Sequence, residues 1–187
     1  MKKIIAIIAT LALTAGTTFA GTVTIEGGHT NGLEGGRDAS SMTFSVSESI
    51  NKTFSVHTLI RSQQSDVTNA VSTRLEVGGT GTVPLFGSVK GYTRVALGQR
   101  FSTAGESVYY SIEPGLSMPL SPSLTARVGY RYRTAAENPD VNKDTTNTVR
   151  VGMSYALNKQ HAVGARFDRQ VGDSRQDGYA VFYSRSF

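Results

Sequence analysis

The side chains best equipped for chemistry are arginines and carboxylates set inside segments that alternate apolar and polar residues. Arg61, Arg74, Glu76, Lys90, Arg94, Glu113, Arg127, Arg131, Arg133, Arg150, Arg166 and Asp168 fall on the polar positions of such segments. A period of two puts successive side chains on opposite faces of a strand, so these charges share one face. A solvated face usually carries Lys and Glu. A confined one favours Arg with carboxylate partners, because a charge withdrawn from bulk water needs a counter-ion and several hydrogen bonds. The bases outnumber Glu48, Glu76, Glu113 and Asp168, and rings of Arg or Lys around a passage favour anions. The expected chemistry is therefore passage of small anionic solutes through a narrow basic lumen. The competing expectation is that the same side chains pair with one another and plug the interior.

Other chemistries find less support. Of the three histidines, His57 falls on the polar parity, within reach of Glu76 or Glu48, but no Ser or Asp spacing marks a catalytic triad with it, His29 or His161. No catalytic residue is expected. Glu137, Asp140 and Asp144 share one polar stretch without the regular spacing of a calcium loop. There is no cysteine, which removes disulfides, thiolate metal sites and a Cys nucleophile. No metal or cofactor is expected. Arg and Lys interleave with Tyr as in some nucleic-acid binders, but the one-sided placement of the charges and an export signal at the N-terminus argue against a nucleic-acid partner.

The segments that must hold these charges are strands. Met42, Phe44 and Val46 alternate with Thr43, Ser45 and Ser47. Phe54, Val56 and Ile60 alternate with Ser55, His57 and Arg61, and Val71, Leu75 and Val77 with Ser72, Arg74 and Glu76. The pattern returns around residues 89–97, 109–118, 124–133, 149–155, 163–168 and 179–187, with a weaker version at 22–29. That makes about ten strands, with eight or twelve left open. Several are about ten residues long, the length a tilted strand needs to cross a bilayer. Pro114 lacks an N–H inside one of them, so a bulge or a break in the ladder is expected there. Tight turns fall at 49–52, 120–123 and 157–160, with a somewhat longer one at 82–87. Longer polar stretches at 31–40, 63–70, 100–105, 134–144 and 171–177 alternate with them. Short turns on one side and long loops on the other are the asymmetry of transmembrane barrels.

Residues 1–20 read differently. Lys2 and Lys3 precede an apolar run from Ile4 to Leu13, followed by small residues up to Thr18 and Ala20. This is the pattern of a secretory signal peptide cleaved between Ala20 and Gly21, and the run is too short to span a bilayer as a helix. Residues 21–187 are then one domain. Aromatics on the apolar parity gather near strand ends: Tyr130, Tyr132, Phe167 and Tyr179 toward the outer rim, Tyr155 and Phe187 toward the periplasmic rim. Such positions form interfacial girdles in membrane barrels.

The last segment, with Tyr179, Val181, Tyr183 and Phe187 alternating up to a final Phe, resembles the terminal strand of Gram-negative outer-membrane β-barrel proteins. Arg185 departs from that pattern, where an apolar residue or Tyr is usual. Residues 113–133, a Pro-containing turn followed by Gly-Tyr-Arg-Tyr-Arg, are loosely similar to the oligogalacturonate-type small porins. The resemblance implies an antiparallel up-and-down transmembrane barrel in the bacterial outer membrane. It implies contact with outer-membrane lipid and lipopolysaccharide, and an assembly signal at Phe187 read by the barrel-assembly machinery. The expectation is an all-β barrel with a porin-like function; a non-conducting barrel serving adhesion or envelope integrity is the alternative.

Overall fold

The structure, a computed structural model, describes residues 21–32, 38–103, 105–136, 145–171 and 175–187. The expected signal peptide and the acidic stretch with Glu137, Asp140 and Asp144 lie outside them. Among the described residues there are ten strands and no helix: β1 (Gly21–Gly32), β2 (Ala39–Ser49), β3 (Phe54–Ser65), β4 (Val71–Phe86), β5 (Val89–Ser102), β6 (Gly105–Pro119), β7 (Leu124–Ala135), β8 (Thr146–Ala156), β9 (His161–Val171) and β10 (Gln176–Ser186). Each pairs antiparallel with its sequence neighbours, and β1 pairs with β10 to close the barrel.

The alternation is realised inside out. The buried residues are mostly polar: Glu26, His57, Glu76, Ser107, Ser111, Glu113, Arg133 and Thr134, against Ala39, Phe44, Ala96, Tyr109 and Ala135. Ile25, Leu75, Val77, Leu97, Ile112, Val151 and Val181 are exposed on the outer face. A soluble barrel would bury that set, because removing apolar area from water is the main favourable term in its folding. Here the strands turn most of their β-branched and large apolar residues outward and most of their charges inward; Glu48, Arg169, Asp177 and Arg185 are charges on the outward parity.

Aromatic rings inside the barrel lie over glycines that face them directly on the next strand. His57 opposes Gly78, Tyr109 opposes Gly98, Tyr92 opposes Gly115 and Phe182 opposes Gly164. A Cβ built on Gly98 or Gly115 would overlap the Cζ–hydroxyl end of the Tyr109 or Tyr92 side chain. These positions are glycine because a ring occupies the place of the side chain, the arrangement by which aromatics stabilise strand glycines.

Three of the short turns share one design. The N–H groups of Ile50 and Asn51 donate to the Phe54 carbonyl, those of Leu120 and Ser121 to Leu124, and those of Leu157 and Asn158 to His161. The second residue of each turn then accepts two backbone N–H bonds on its side-chain oxygen. Asn51 takes those of Thr53 and Phe54, Ser121 those of Ser123 and Leu124, and Asn158 those of Gln160 and His161. Asn and Ser hold turns by this local bond. The fourth turn is shorter than residues 82–87 suggest. β4 continues to Phe86, the register shifts between Pro84 and Phe86, and Gly87 supplies a positive φ of 54°. β5 likewise extends to Ser102, through most of the expected 100–105 loop.

Pro114 breaks the ladder without a bulge. Pairing between β6 and β7 stops after Ile112–Tyr132 and resumes at Gly115–Gly129 in the same register, while Pro114 still pairs with Thr93 on β5.

Candidate functional site: the charged lumen

The interior charges join side chains across several strands. Glu76 on β4 is the hub. Arg94 Nη2 from β5 donates to Oε1 at 3.1 Å, Arg131 Nη2 from β7 to Oε2 at 2.5 Å, and the Tyr109 hydroxyl from β6 to Oε2 at 3.2 Å. Arg94 Nε also donates to His57 Nε2 at 2.9 Å, which assigns the ring proton to Nδ1. His57 Nε2 also stands 3.8 Å from Glu76 Oε1. Arg131 further donates to Ser111 Oγ at 3.2 Å.

A second chain of ion pairs continues around the wall. Arg150 on β8 donates from Nη1 to Glu113 Oε2 on β6 at 2.6 Å and approaches Asp168 Oδ1 on β9 at 3.4 Å. Arg166 Nε is 3.0 Å from Asp168 Oδ1, and its two terminal nitrogens clasp Glu26 on β1 at 2.7 and 2.9 Å. This fork-to-fork geometry is the strong form of Arg–carboxylate bond. The Tyr92 hydroxyl donates to Glu113 at 3.3 Å.

The remaining sequence candidates lie nearer the two ends. Arg61 and Arg74 stand side by side on β3 and β4 with Arg100, which the sequence placed in a loop, beside them on β5, and Arg61 Nη2 donates to Ser41 Oγ at 3.1 Å. Arg133 on β7 lies over the Tyr109 ring, 5.3 Å from its centroid. Toward the short-turn end, Lys90 and Arg127 face inward on either side of Ser117, in register. Both are exposed at the mouth.

Three interior partners were not singled out from the sequence. Glu26 shares the parity of Thr22, Thr24 and Gly28, opposite Val23 and Ile25, so its inward direction was readable. Tyr92 and Tyr109 read as strand aromatics, and their bonds, to Glu113 on the next strand and to Glu76 two strands back, leave no local signal. One assignment is corrected. Glu48 pairs with Gly21 and Val56 on the outward parity, so it lines no lumen, and the acid beside His57 is Glu76. Outside, Phe167 and Tyr179 are neighbours with ring centroids 5.2 Å apart, and Tyr130 donates to Asn147 Oδ1 at 2.9 Å. Tyr132 pairs with Asn147 on the same face. Tyr155 is exposed near the short-turn end of β8, and Phe187 follows β10 at that end. Among the described residues no group of three or more His, Cys, Asp or Glu is arranged to hold a metal.

No family model matches the chain, and no curated protein sequence does. Solved structures do match. An outer-membrane channel from Pseudomonas putida F1 superposes with TM-score 0.61 at 9% identity, over 91% of this chain and 96% of that one. The translocator domain of autotransporter NalP from Neisseria meningitidis gives 0.54 at 12% identity, over 95% and 92%. The NanC porin gives 0.50 at 10%, over 88% and 100%. At these identities the likeness is one of fold. That fold is the one of small outer-membrane β-barrels, a scaffold on which function must be argued from the site.

Proposed function

We propose that the chain is an exported outer-membrane barrel forming a narrow channel that favours small anions. The observation that carries this reading is the charge of the interior wall. Arg61, Arg74, Arg94, Arg100, Arg127, Arg131, Arg133, Arg150, Arg166 and Lys90 face inward, against Glu26, Glu76, Glu113 and Asp168. Lys90 and Arg127 have no acidic partner among the described residues and stand at the mouth, where an entering solute meets them first. A surplus of fixed positive charge in a confined passage lowers the free energy of an anion relative to a cation. The outward apolar belt suits lipid, with lipopolysaccharide against the long-loop end, and Phe187 would serve the barrel-assembly machinery. The likeness to an outer-membrane channel and a porin supports a non-enzymatic role and this location.

The test is electrical. The mature chain refolded into planar bilayers should give discrete conductance steps, with a reversal potential on the anion side in a salt gradient. Lys90→Glu with Arg127→Glu should move that potential toward the cation side. These two are cleaner probes than Arg150, which is held between Glu113 and Asp168. An unchanged reversal potential would falsify the lumen assignment.

A second reading is favoured by the ion pairs themselves. The Arg131–Glu76 bond reaches from β7 to β4, and ten strands lie nearer to the ~8 whose interior is filled than to the ~16 that enclose a channel. Under this reading the barrel is closed and serves surface contact or envelope integrity, and no conductance appears in any preparation.

A further inference from the structure

The outer face carries a shaped site that neither reading uses. Between β8 and β10 the surface dips over β9 into a groove of about 730 Å³. Its floor is Val163 and Ala165, and its walls are Met153 and Tyr155 on one side and Val181 and Tyr183 on the other. Register accounts for the dip. Tyr155, Val163 and Tyr183 stand side by side, as do Met153, Ala165 and Val181, so β9 sets small side chains between larger ones.

At the short-turn end of the groove the chemistry changes from apolar to basic. His161 and Arg185 are directly opposed and face outward. His161 Nδ1 is hydrogen-bonded to the Tyr183 hydroxyl at 2.5 Å, with the two rings stacked, which leaves Nε2 for another partner. The Arg185 guanidinium lies 5.3 Å from the Phe187 ring centroid, and among the described residues no acid pairs with it. The outward acid on that rim, Glu48, belongs to β2, two strands away. On the outer face of β10, Arg185 follows Tyr179, Val181 and Tyr183, and the other charge on that face, Asp177, lies at the opposite end paired with Arg169. A guanidinium on an apolar, lipid-facing parity is costly unless it reaches an anionic head group.

We propose that this groove and its basic rim bind one anionic glycerophospholipid of the periplasmic leaflet. An acyl chain lies over Val163 and Ala165, and the phosphate is held by Arg185, whose planar fork suits phosphate oxygens, with His161 beside it. Apolar complementarity alone would serve any lipid; the rim selects for negative charge. The inference rests on the outer-membrane reading and adds the leaflet, the lipid class and the residues.

The experiment reconstitutes the mature barrel in phosphatidylcholine vesicles carrying either spin-labelled phosphatidylglycerol or spin-labelled phosphatidylcholine, and compares the motionally restricted fractions. The wild type should favour phosphatidylglycerol severalfold. Arg185→Gln should bring the two lipids level, and Ala165→Leu, which fills the floor, should reduce the restricted fraction of both. Arg169→Gln, on the outer face near the long-loop end and paired with Asp177 at 3.2 Å, should leave the preference intact. Heat-modifiable gel mobility checks that each variant is folded. A folded, inserted barrel with equal affinity for both lipids, or a preference that survives Arg185→Gln, overturns the site alone. A chain that does not insert at all overturns the outer-membrane reading and the site with it.

Discussion

Glu76 holds two arginines and a tyrosine through its two oxygens, with only 3% of its surface exposed. Buried ion pairs gain little over an apolar replacement of the same shape, but removing one partner leaves a charge stranded in a poor solvent. Glu76→Gln should therefore lower the unfolding free energy by about 3–5 kcal/mol, read from urea titration in lipid vesicles. A second change, Arg131→Met, should return part of that loss by removing one stranded cation. A Gln variant as stable as the wild type would mean that Arg94 and Arg131 find other partners. At this scale the sequence was half legible. That Arg94, Arg131 and Arg150 point inward follows from parity, which is local. That Arg131 meets Glu76 depends on two strands lying between them, and nothing near either residue encodes it.

Pairing at the level of elements is set by backbone groups more than by side chains. Pro114 has no N–H to give, and the β6–β7 ladder is interrupted between Ile112–Tyr132 and Gly115–Gly129. Pro114→Ala should restore a donor where the backbone is already in register. The expected gain is about 1 kcal/mol, the net value of one hydrogen bond, measured by the same titration; a loss of stability would show that the ladder needs the gap. Strand number was readable to about ten because period two is strong in nine segments and weaker only at 22–29. Strand ends were harder, and β4 shows why. Gly81, Pro84 and Gly87 look like turn punctuation, yet only Gly87 turns the chain, while Pro84 is accommodated at a register shift near the end of its strand. The three turns built on Asn51, Ser121 and Asn158 were placed correctly because their bonds are local.

For the molecule as a whole, closure decides the behaviour. Every strand has two partners, so no edge is left to fray, and unfolding has to open the ring. Residues 21–187 extracted in detergent should run at a different apparent mass on a gel before and after boiling, with one compact band converting to one unfolded band. A single unchanged band would contradict a closed barrel in detergent. The fold class was legible as a whole because a slightly polar chain with strictly alternating strands and few long apolar runs has few ways to satisfy its backbone in lipid. Whether the centre conducts was not legible, since it depends on how far side chains reach across the interior.

That reach has a geometric consequence. Arg131 to Glu76 spans β7 to β4, Arg150 to Glu113 spans β8 to β6, and Arg166 to Glu26 closes from β9 to β1 across the seam. These side chains act as spokes of fixed length, and spokes set the size of a wheel. A hairpin duplicated between β4 and β7 would widen the ring and carry Glu76 beyond the span of Arg131. The circumference of this barrel is thus gauged from within, by the length of an arginine, as well as by the number of strands in its wall.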